Sequence, residues 1–290
     1  RIDKRYENPI LEKNGEPLAY NDGEFAPDLM VDFILDFIER KAEQPFLVYY
    51  PMILTHCPFV PTPHSEDWDP TSAGSPTHKG DKAYFGDMVE YVDHLVGKIE
   101  AELKRHGLLE NTYLIFTGDN GTDRTVVSML KGEPFPGRKG TLTNGGTHVP
   151  LIVSRPGTVP AKVHNDLIDF SDFLPTLCEI ANSSTDGLTL DGNSFLPQLH
   201  GETGNPREFV YCWYNRDMEP GKTQVTARNQ RYKLYKGGKF YDVPNDLQEK
   251  QPLGTNSLTP KQVAIKGKLQ DVLDHYEQFD RLAQVIDGRQ

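Results

Sequence analysis

Two neighbouring residues with hard oxygen donors follow an apolar run in this sequence. The stretch LIFTGDNGTD (Leu114–Asp123) resembles a buried strand that ends in Asp119, Asn120 and Gly121. Carboxylate and amide oxygens suit Ca²⁺ or Mg²⁺, and ligands bind beyond the carboxyl ends of strands in parallel α/β sheets. Asn-Gly is equally typical of a plain turn. Because Ca²⁺ takes roughly six to eight oxygens, these two residues would be only part of a metal site.

Two further polar residues are candidates for binding or acting on an anion at the same place. His56 follows the apolar run Phe46–Tyr50, which predicts a strand whose carboxyl end shares an edge with that of the Asp119 strand. Lys139 lies between glycines in a segment too rich in Gly and Thr for a regular helix, so its ammonium could hold an anion at the loop surface. Each residue also has a non-functional interpretation: His56 as a structural histidine and Lys139 as a solvated surface lysine. His148, just after a Gly-Gly pair, is a weaker candidate.

The sequence lacks the motifs that several other kinds of active site require. Gly132 and Gly137 have the spacing of a phosphate loop, but Arg138 and Lys139 follow instead of Lys and Ser/Thr. The sequence contains no Gly-x-Ser-x-Gly elbow, His-Glu-x-x-His or dinucleotide fingerprint. Its three cysteines are far apart, which indicates neither a zinc site nor a disulfide framework.

The elements that must position these residues are typical of an α/β protein. Helical spacing predicts one helix near residues 27–44 and a longer one near 82–107. Short apolar runs predict strands within 46–50, 112–118 and 149–157. Strands that alternate with helices favour a parallel sheet with helical crossovers. Beyond about Gly201, short runs separated by Gly, Asn and Pro predict a small antiparallel sheet, followed by a final helix near 259–284.

Composition limits the partners. Thirty-one basic and 42 acidic residues among 290 give a net charge of −11, which disfavours nucleic acid or an anionic membrane surface as the main partner. No apolar stretch is long enough to predict a membrane span. An anionic substrate would therefore be attracted only locally, by a metal or by a few cations.

The ordered set of segments resembles the sulfatase family. The segments are PFLVYYPMILTHCPFVP, YFGDMVEYVDHLVGKIEAEL, NTYLIFTGDNG and GRKGTLTNGGTHVPLIVSRPG, and a weaker likeness continues in RNQRYKLYKGGKFYDVPND. The likeness runs from about Gln44 to Asn182. It implies part of a sulfatase or alkaline phosphatase-like α/β sheet with flanking helices over residues 1–200, and a small C-terminal subdomain, an antiparallel sheet with a helix, over 201–290.

The resemblance also implies roles for the candidate residues. Sulfatases hydrolyse sulfate esters with a formylglycine nucleophile beside a divalent metal, usually Ca²⁺. By this likeness Asp119 and Asn120 would be metal ligands, Lys139 would hold a sulfate oxygen, and His56 would contact the sulfate and assist the leaving group. His148 would also contact substrate. The implied substrate is an aryl sulfate or a sulfated carbohydrate, and the implied location is periplasmic or secreted.

The sequence departs from the family pattern in ways that matter for activity. It has no Cys/Ser-x-Pro-x-Arg motif, which is the source of formylglycine, and lacks the family's early Asp-Asp pair and the Lys-x-His segment of its N-terminal portion. Asn144 stands where relatives commonly carry Glu. We therefore expect a C-terminal portion that is inactive alone and whose partner is the N-terminal remainder of the same domain.

Two alternatives stay open at this stage. A phosphonate or phosphate monoester hydrolase would share the metal scaffold and differ in the upstream nucleophile and nearby cations. A non-catalytic protein, structural or binding sulfated carbohydrate, would retain the sulfatase-like half without its chemistry.

Overall fold

The computed structural model describes residues 2–279 and has a mixed α/β fold, as predicted. Its helices are α1 (Ala26–Lys41), α2 (Phe85–Arg105), α3 (Asn144–Thr147), α4 (Phe173–Ile180), α5 (Leu196–Leu199) and α6 (Pro260–Glu277). Its strands are β1 (Ile10–Lys13), β2 (Glu16–Ala19), β3 (Leu114–Thr117), β4 (Val127–Leu130), β5 (Glu133–Pro136), β6 (Leu151–Ser154), β7 (Val210–Tyr214), β8 (Gln224–Arg228), β9 (Tyr232–Tyr235) and β10 (Phe240–Asp242).

The backbone forms two compact units, Arg1–Leu114 and Ile115–Gln290. The predicted division at residue 200 follows the change in element rhythm instead, and it stays a prediction. The last five residues of the predicted final helix, 280–284, lie outside the described residues. No helix within 2–279 is long and apolar enough to cross a bilayer.

Helices α1 and α2 pack together in the first unit. Pro27 and Asp28 stand in the first turn of α1, where a proline costs no hydrogen bond and an acidic side chain complements the helix dipole. The apolar stripe of α2 is buried as its spacing predicts, with Met88 and Leu95 fully covered. Ile34 and Ile38 of α1 share a core with Leu103 of α2.

The predicted strand at Phe46–Tyr50 is wrong. The segment is extended but forms no ladder with any strand within residues 2–279. Phe46 and Tyr50 pack against the α1–α2 core, whereas Leu47 and Tyr49 are 66% and 84% exposed. The apolar sequence is typical of a buried strand. A strand also needs a neighbouring strand to pair with its backbone groups, and none of the described segments supplies one.

The second unit contains the predicted antiparallel sheet, in the order β10-β9-β8-β7. Helix α6 covers it through Leu269 and Leu273, which join a core with Leu234 and Phe240 of the sheet. Thr259 begins α6 with a capping box. Strands β3 and β6 are neighbours in a separate two-stranded sheet.

Two antiparallel hairpins were not predicted, β1–β2 and β4–β5. Each turns through two residues of positive φ, Asn14-Gly15 and Lys131-Gly132. This geometry matches the twist of a hairpin. The β4–β5 hairpin leads directly into the loop that carries Lys139.

Candidate active site

The turn that follows β3 presents two oxygen donors. Asp119 is exposed and Asn120 is partly buried. Neither side chain has a hydrogen-bond or ion-pair partner among the described residues. Their oxygens are therefore open to a cation or to water.

The Lys139 loop packs directly on this turn. The Lys139 N–H donates to the Thr122 carbonyl (3.0 Å), and the Gly121 N–H donates to the Gly146 carbonyl (2.9 Å). The turn that carries Asp119 and Asn120 and the loop that carries Lys139 are therefore in direct backbone contact. The ammonium of Lys139 has no partner within residues 2–279.

Arg124 holds the Lys139 backbone from its other side. Its Nε donates to the Lys139 carbonyl (2.8 Å), and its NH2 donates to the Gly140 carbonyl (3.0 Å). Sequence reasoning missed Arg124, because no spacing rule marks an arginine whose partners within residues 2–279 are carbonyl groups of another loop.

Glycines explain how closely the two loops approach. A Cβ added at Gly121 would lie 2.1 Å from the Gly145 carbonyl oxygen, and one at Gly146 would lie 2.2 Å from the Thr141 carbonyl oxygen. Both distances are well below a normal contact, so a side chain at either position would displace backbone.

We expect Gly121→Ala to separate the two loops and to lower activity with little change in the C-terminal core. The methyl group meets backbone, which cannot rotate away. Gly97→Ala is the matched control, since nothing lies within 4 Å of its added Cβ in α2 and Ala favours helix by roughly 0.5–1 kcal/mol. Amide exchange at Lys139 reads the loop contact. Unchanged exchange in Gly121→Ala would show that the loops do not depend on it.

His148 ends the same loop, directly after α3. Desolvation lowers its pKa below the usual 6.5, and the positive charges of Arg228 and Lys233 lower the pKa further. The ring is therefore neutral at pH 7. It can donate one hydrogen bond to an anion, but it brings no charge.

A buried ion pair fixes this loop to the C-terminal sheet. Lys233 and Glu249 are each 1% exposed, and Lys233 Nζ lies 2.7 Å from Glu249 Oε1. Lys233 also donates to the Leu142 carbonyl (2.7 Å), and Glu249 Oε1 accepts the Asn144 N–H (2.6 Å). The Tyr235 hydroxyl donates to Glu249 Oε2 (2.5 Å). Sequence reasoning missed both charged residues, whose partners are distant in the chain.

Asn144 forms a second link between this loop and the C-terminal sheet. Arg228 NH1 donates to the Asn144 Oδ1 at 2.9 Å, and Asn144 is buried. Desolvation lowers the pKa of Arg228, opposed by the charge of Glu249. Asn144, which stands where relatives commonly carry Glu, is thus a neutral side chain whose oxygen accepts a hydrogen bond from an arginine.

His56 lies in the other compact unit, where an N-terminal segment holds it. The Tyr6 hydroxyl donates to the carbonyls of Ile53 (2.9 Å) and His56 (2.5 Å). Arg5 NH1 lies 2.7 Å from His56 Nδ1 and also donates to the Cys57 carbonyl. Tyr6 is fully buried, although no element was predicted from the sequence before residue 27.

We expect Arg5→Met to loosen the His56 ring and to lower kcat by about tenfold with little change in KM, since one charge-assisted hydrogen bond is lost. Arg40→Met is the control, because Arg40 pairs with Asp36 and lies over the Phe37 ring within α1, far in sequence from His56. The imidazole NMR signals of His56 report the change directly. Identical signals in Arg5→Met and the parent would exclude a positioning role.

Among residues 2–279, no group of three or more His, Cys, Asp or Glu side chains could hold a metal ion. Asp119 and Asn120 are thus a pair of donors and not a complete site.

Comparison with known proteins gives a consistent family. A sequence model described as Sulfatase matches residues 2–183. Arylsulfatase A of Homo sapiens is 30% identical over 213 residues, which cover 73% of this chain and 38% of that protein. The chain therefore spans well under half the length of this relative.

Solved structures share the fold at low sequence identity. Ps i-CgsB in complex with k-i-k-neocarrahexaose aligns with a TM-score of 0.71 and 22% identity, covering 96% of this chain and 59% of that one. BT4656 in complex with its substrate D-glucosamine-2-N,6-O-disulfate gives 0.69 and 19%, covering 96% and 74%. Because the family match includes more than half of the chain, the protein belongs to the sulfatase family.

Proposed function

We propose that the protein hydrolyses sulfate esters of carbohydrates. The observation that supports this most directly is the contact between the Asp119-Asn120 turn and the Lys139 loop. That contact joins the turn that carries two oxygen donors to the loop that carries Lys139, within one unit, and it supports a shared role for them. A cation site beside a fixed positive charge suits an anionic ester and its more highly charged transition state.

In this proposal the role of each polar residue follows from its charge. Lys139 neutralises negative charge on a sulfuryl oxygen, because its ammonium is free of other partners. His56 donates a proton to the departing alkoxide, which is a poor leaving group when unprotonated. His148, neutral at pH 7, donates a hydrogen bond.

Asp119 and Asn120 would hold Ca²⁺ or Mg²⁺. Their oxygens are the hard donors that these cations prefer, and neither side chain is committed to another group within residues 2–279. A bound cation would supply further charge neutralisation at the sulfuryl oxygens. Additional oxygen ligands are needed, since Ca²⁺ takes roughly six to eight oxygens and residues 2–279 contain no cluster of three or more His, Cys, Asp or Glu side chains.

The nucleophile is the remaining part of the proposal. The family resemblance implies formylglycine, and the 290 residues contain no Cys/Ser-x-Pro-x-Arg from which it forms. We place that group outside these residues and expect the 290 residues by themselves to be inactive. Export to the periplasm or medium also stays a prediction.

Carbohydrate is favoured over aryl sulfate by the ligands of similar folds. One such protein was solved with a neocarrahexaose and another with a disulfated glucosamine. Their sequence identity to this chain is about a fifth, so they support the choice of first substrates to test.

The test measures sulfate released by the full-length protein. Carrageenan oligosaccharides, sulfated glucosamines, an aryl sulfate and a phosphate monoester are compared at equal concentration, before and after EDTA and with Ca²⁺ or Mg²⁺ restored. We expect release from a sulfated carbohydrate, loss with EDTA and recovery with the metal. Binding of sulfated sugars without release would support the non-catalytic alternative, and phosphate release alone would support the phosphatase alternative.

A further inference from the structure

A cavity of about 610 Å³ opens beside the β4–β5 hairpin. Val127, Pro134 and Pro136 of the hairpin form an apolar wall. Gln248, from the segment after β10, lies opposite and donates weakly to the Pro134 carbonyl at 3.4 Å. The cavity is therefore built from two parts of one compact unit that are linked by a direct contact.

Two cations line this cavity, Arg138 and Lys250. Over residues 2–279, neither side chain has a hydrogen bond or an ion pair. This is notable in a chain with net charge −11, where a cation easily finds a carboxylate. One carboxylate, Glu133, also lines the cavity, so the local balance is one net positive charge.

One residue that lines the cavity is next in sequence to a candidate site residue. Arg138 immediately precedes Lys139, whose backbone is fixed by Thr122 and Arg124. Arg138 and Lys139 are therefore consecutive cations in one loop of one compact unit.

We propose that this cavity binds a second anionic group, a sulfate or a carboxylate, on the sugar next to the one whose sulfate ester lies at Lys139. The inference rests on the proposed function and extends it to substrate choice. A planar guanidinium matches the oxygens of either anion in a two-pronged contact, and Lys250 adds a point charge. The apolar wall receives the C–H face of a sugar ring, and Glu133 disfavours ligands with still more charge.

The experiment compares two disaccharides with the full-length protein by calorimetry. The probes are a galactan disaccharide with one sulfate on each sugar and its counterpart with a single sulfate, neither of which carries a carboxylate. We expect Arg138→Gln and Lys250→Gln each to weaken binding of the disulfated probe by about tenfold, as for loss of a charge-assisted hydrogen bond. The monosulfated probe should change far less, and Glu133→Gln should tighten the disulfated probe.

Lys222→Gln is the matched control, since Lys222 pairs with Glu219 in an exposed turn. Equal weakening of both probes in the two cavity variants would indicate general charge attraction and overturn the inference. So would no weakening at all. Because the readout is binding, the inference can hold in a protein that never releases sulfate, and it can fail in one that does.

Discussion

Lys139→Ala is expected to lower the turnover of sulfate esters by about 10²–10³-fold, the usual cost of removing one group that stabilises transition-state charge. The fold should be unaffected, because the Lys139 side chain has no partner within residues 2–279 and its backbone contacts survive the change. The measurements are kcat, KM and the thermal midpoint of the full-length protein.

Two further variants sharpen that result. Lys139→Arg keeps the charge but replaces a compact ammonium with a planar group, so activity should recover only in part. Lys162→Ala removes one charge from an exposed loop of the same unit and should leave kcat intact. Wild-type turnover in Lys139→Ala would remove Lys139 from the chemistry, and equal loss in both alanine variants would point to net charge alone.

The buried Lys233–Glu249 pair carries the second large effect, on stability. Lys233→Met leaves the Glu249 carboxylate buried without its cation, and breaking a buried pair in this way costs about 3–5 kcal/mol in free energy of unfolding. Joint replacement, Lys233→Met with Glu249→Leu, should cost less than the sum of the single changes. Urea denaturation at fixed pH measures each value.

An exposed ion pair between the turn after β9 and the end of α6 serves for comparison. Lys236 and Glu277 lie 3.0 Å apart at 41% and 45% side-chain exposure. Because water screens this pair, Lys236→Met should change stability by about 1 kcal/mol or less. If the two lysine variants were equally stable, the buried pair would have no special structural role. Amide exchange at Asn144 adds a local readout, since its N–H donates to Glu249.

The structural features that the sequence alone predicted are those that depend on a local residue pattern. The apolar stripe of α2, with Met88, Tyr91 and Leu95, follows a period that any buried helix face must have, and the structure confirms it. The topology of strand ends predicted His56 on the same edge as Asp119 and predicted nothing about Lys139, whose loop contacts the Asp119 turn through backbone hydrogen bonds. The chemical roles of these residues stay predictions.

What the sequence could not show depends on partners distant in the chain. The β4–β5 hairpin was missed because Pro134 and Pro136 weaken the strand pattern and Lys131-Gly132 is a less familiar turn pair. Lys233 sits in a run that looks like an ordinary solvated strand face, yet its ammonium is buried against Glu249 and the Leu142 carbonyl. No periodicity reports such a contact.

The extended segment Phe46–Tyr50 has a practical consequence for work with these 290 residues. Its backbone groups have no ladder partner among the described strands, and Leu47 and Tyr49 are largely exposed. An open, β-prone segment of this kind is a template on which a second copy can add a strand. Light scattering should therefore rise with concentration, and a charged replacement such as Leu47→Lys should suppress it, so samples of this chain are best kept dilute.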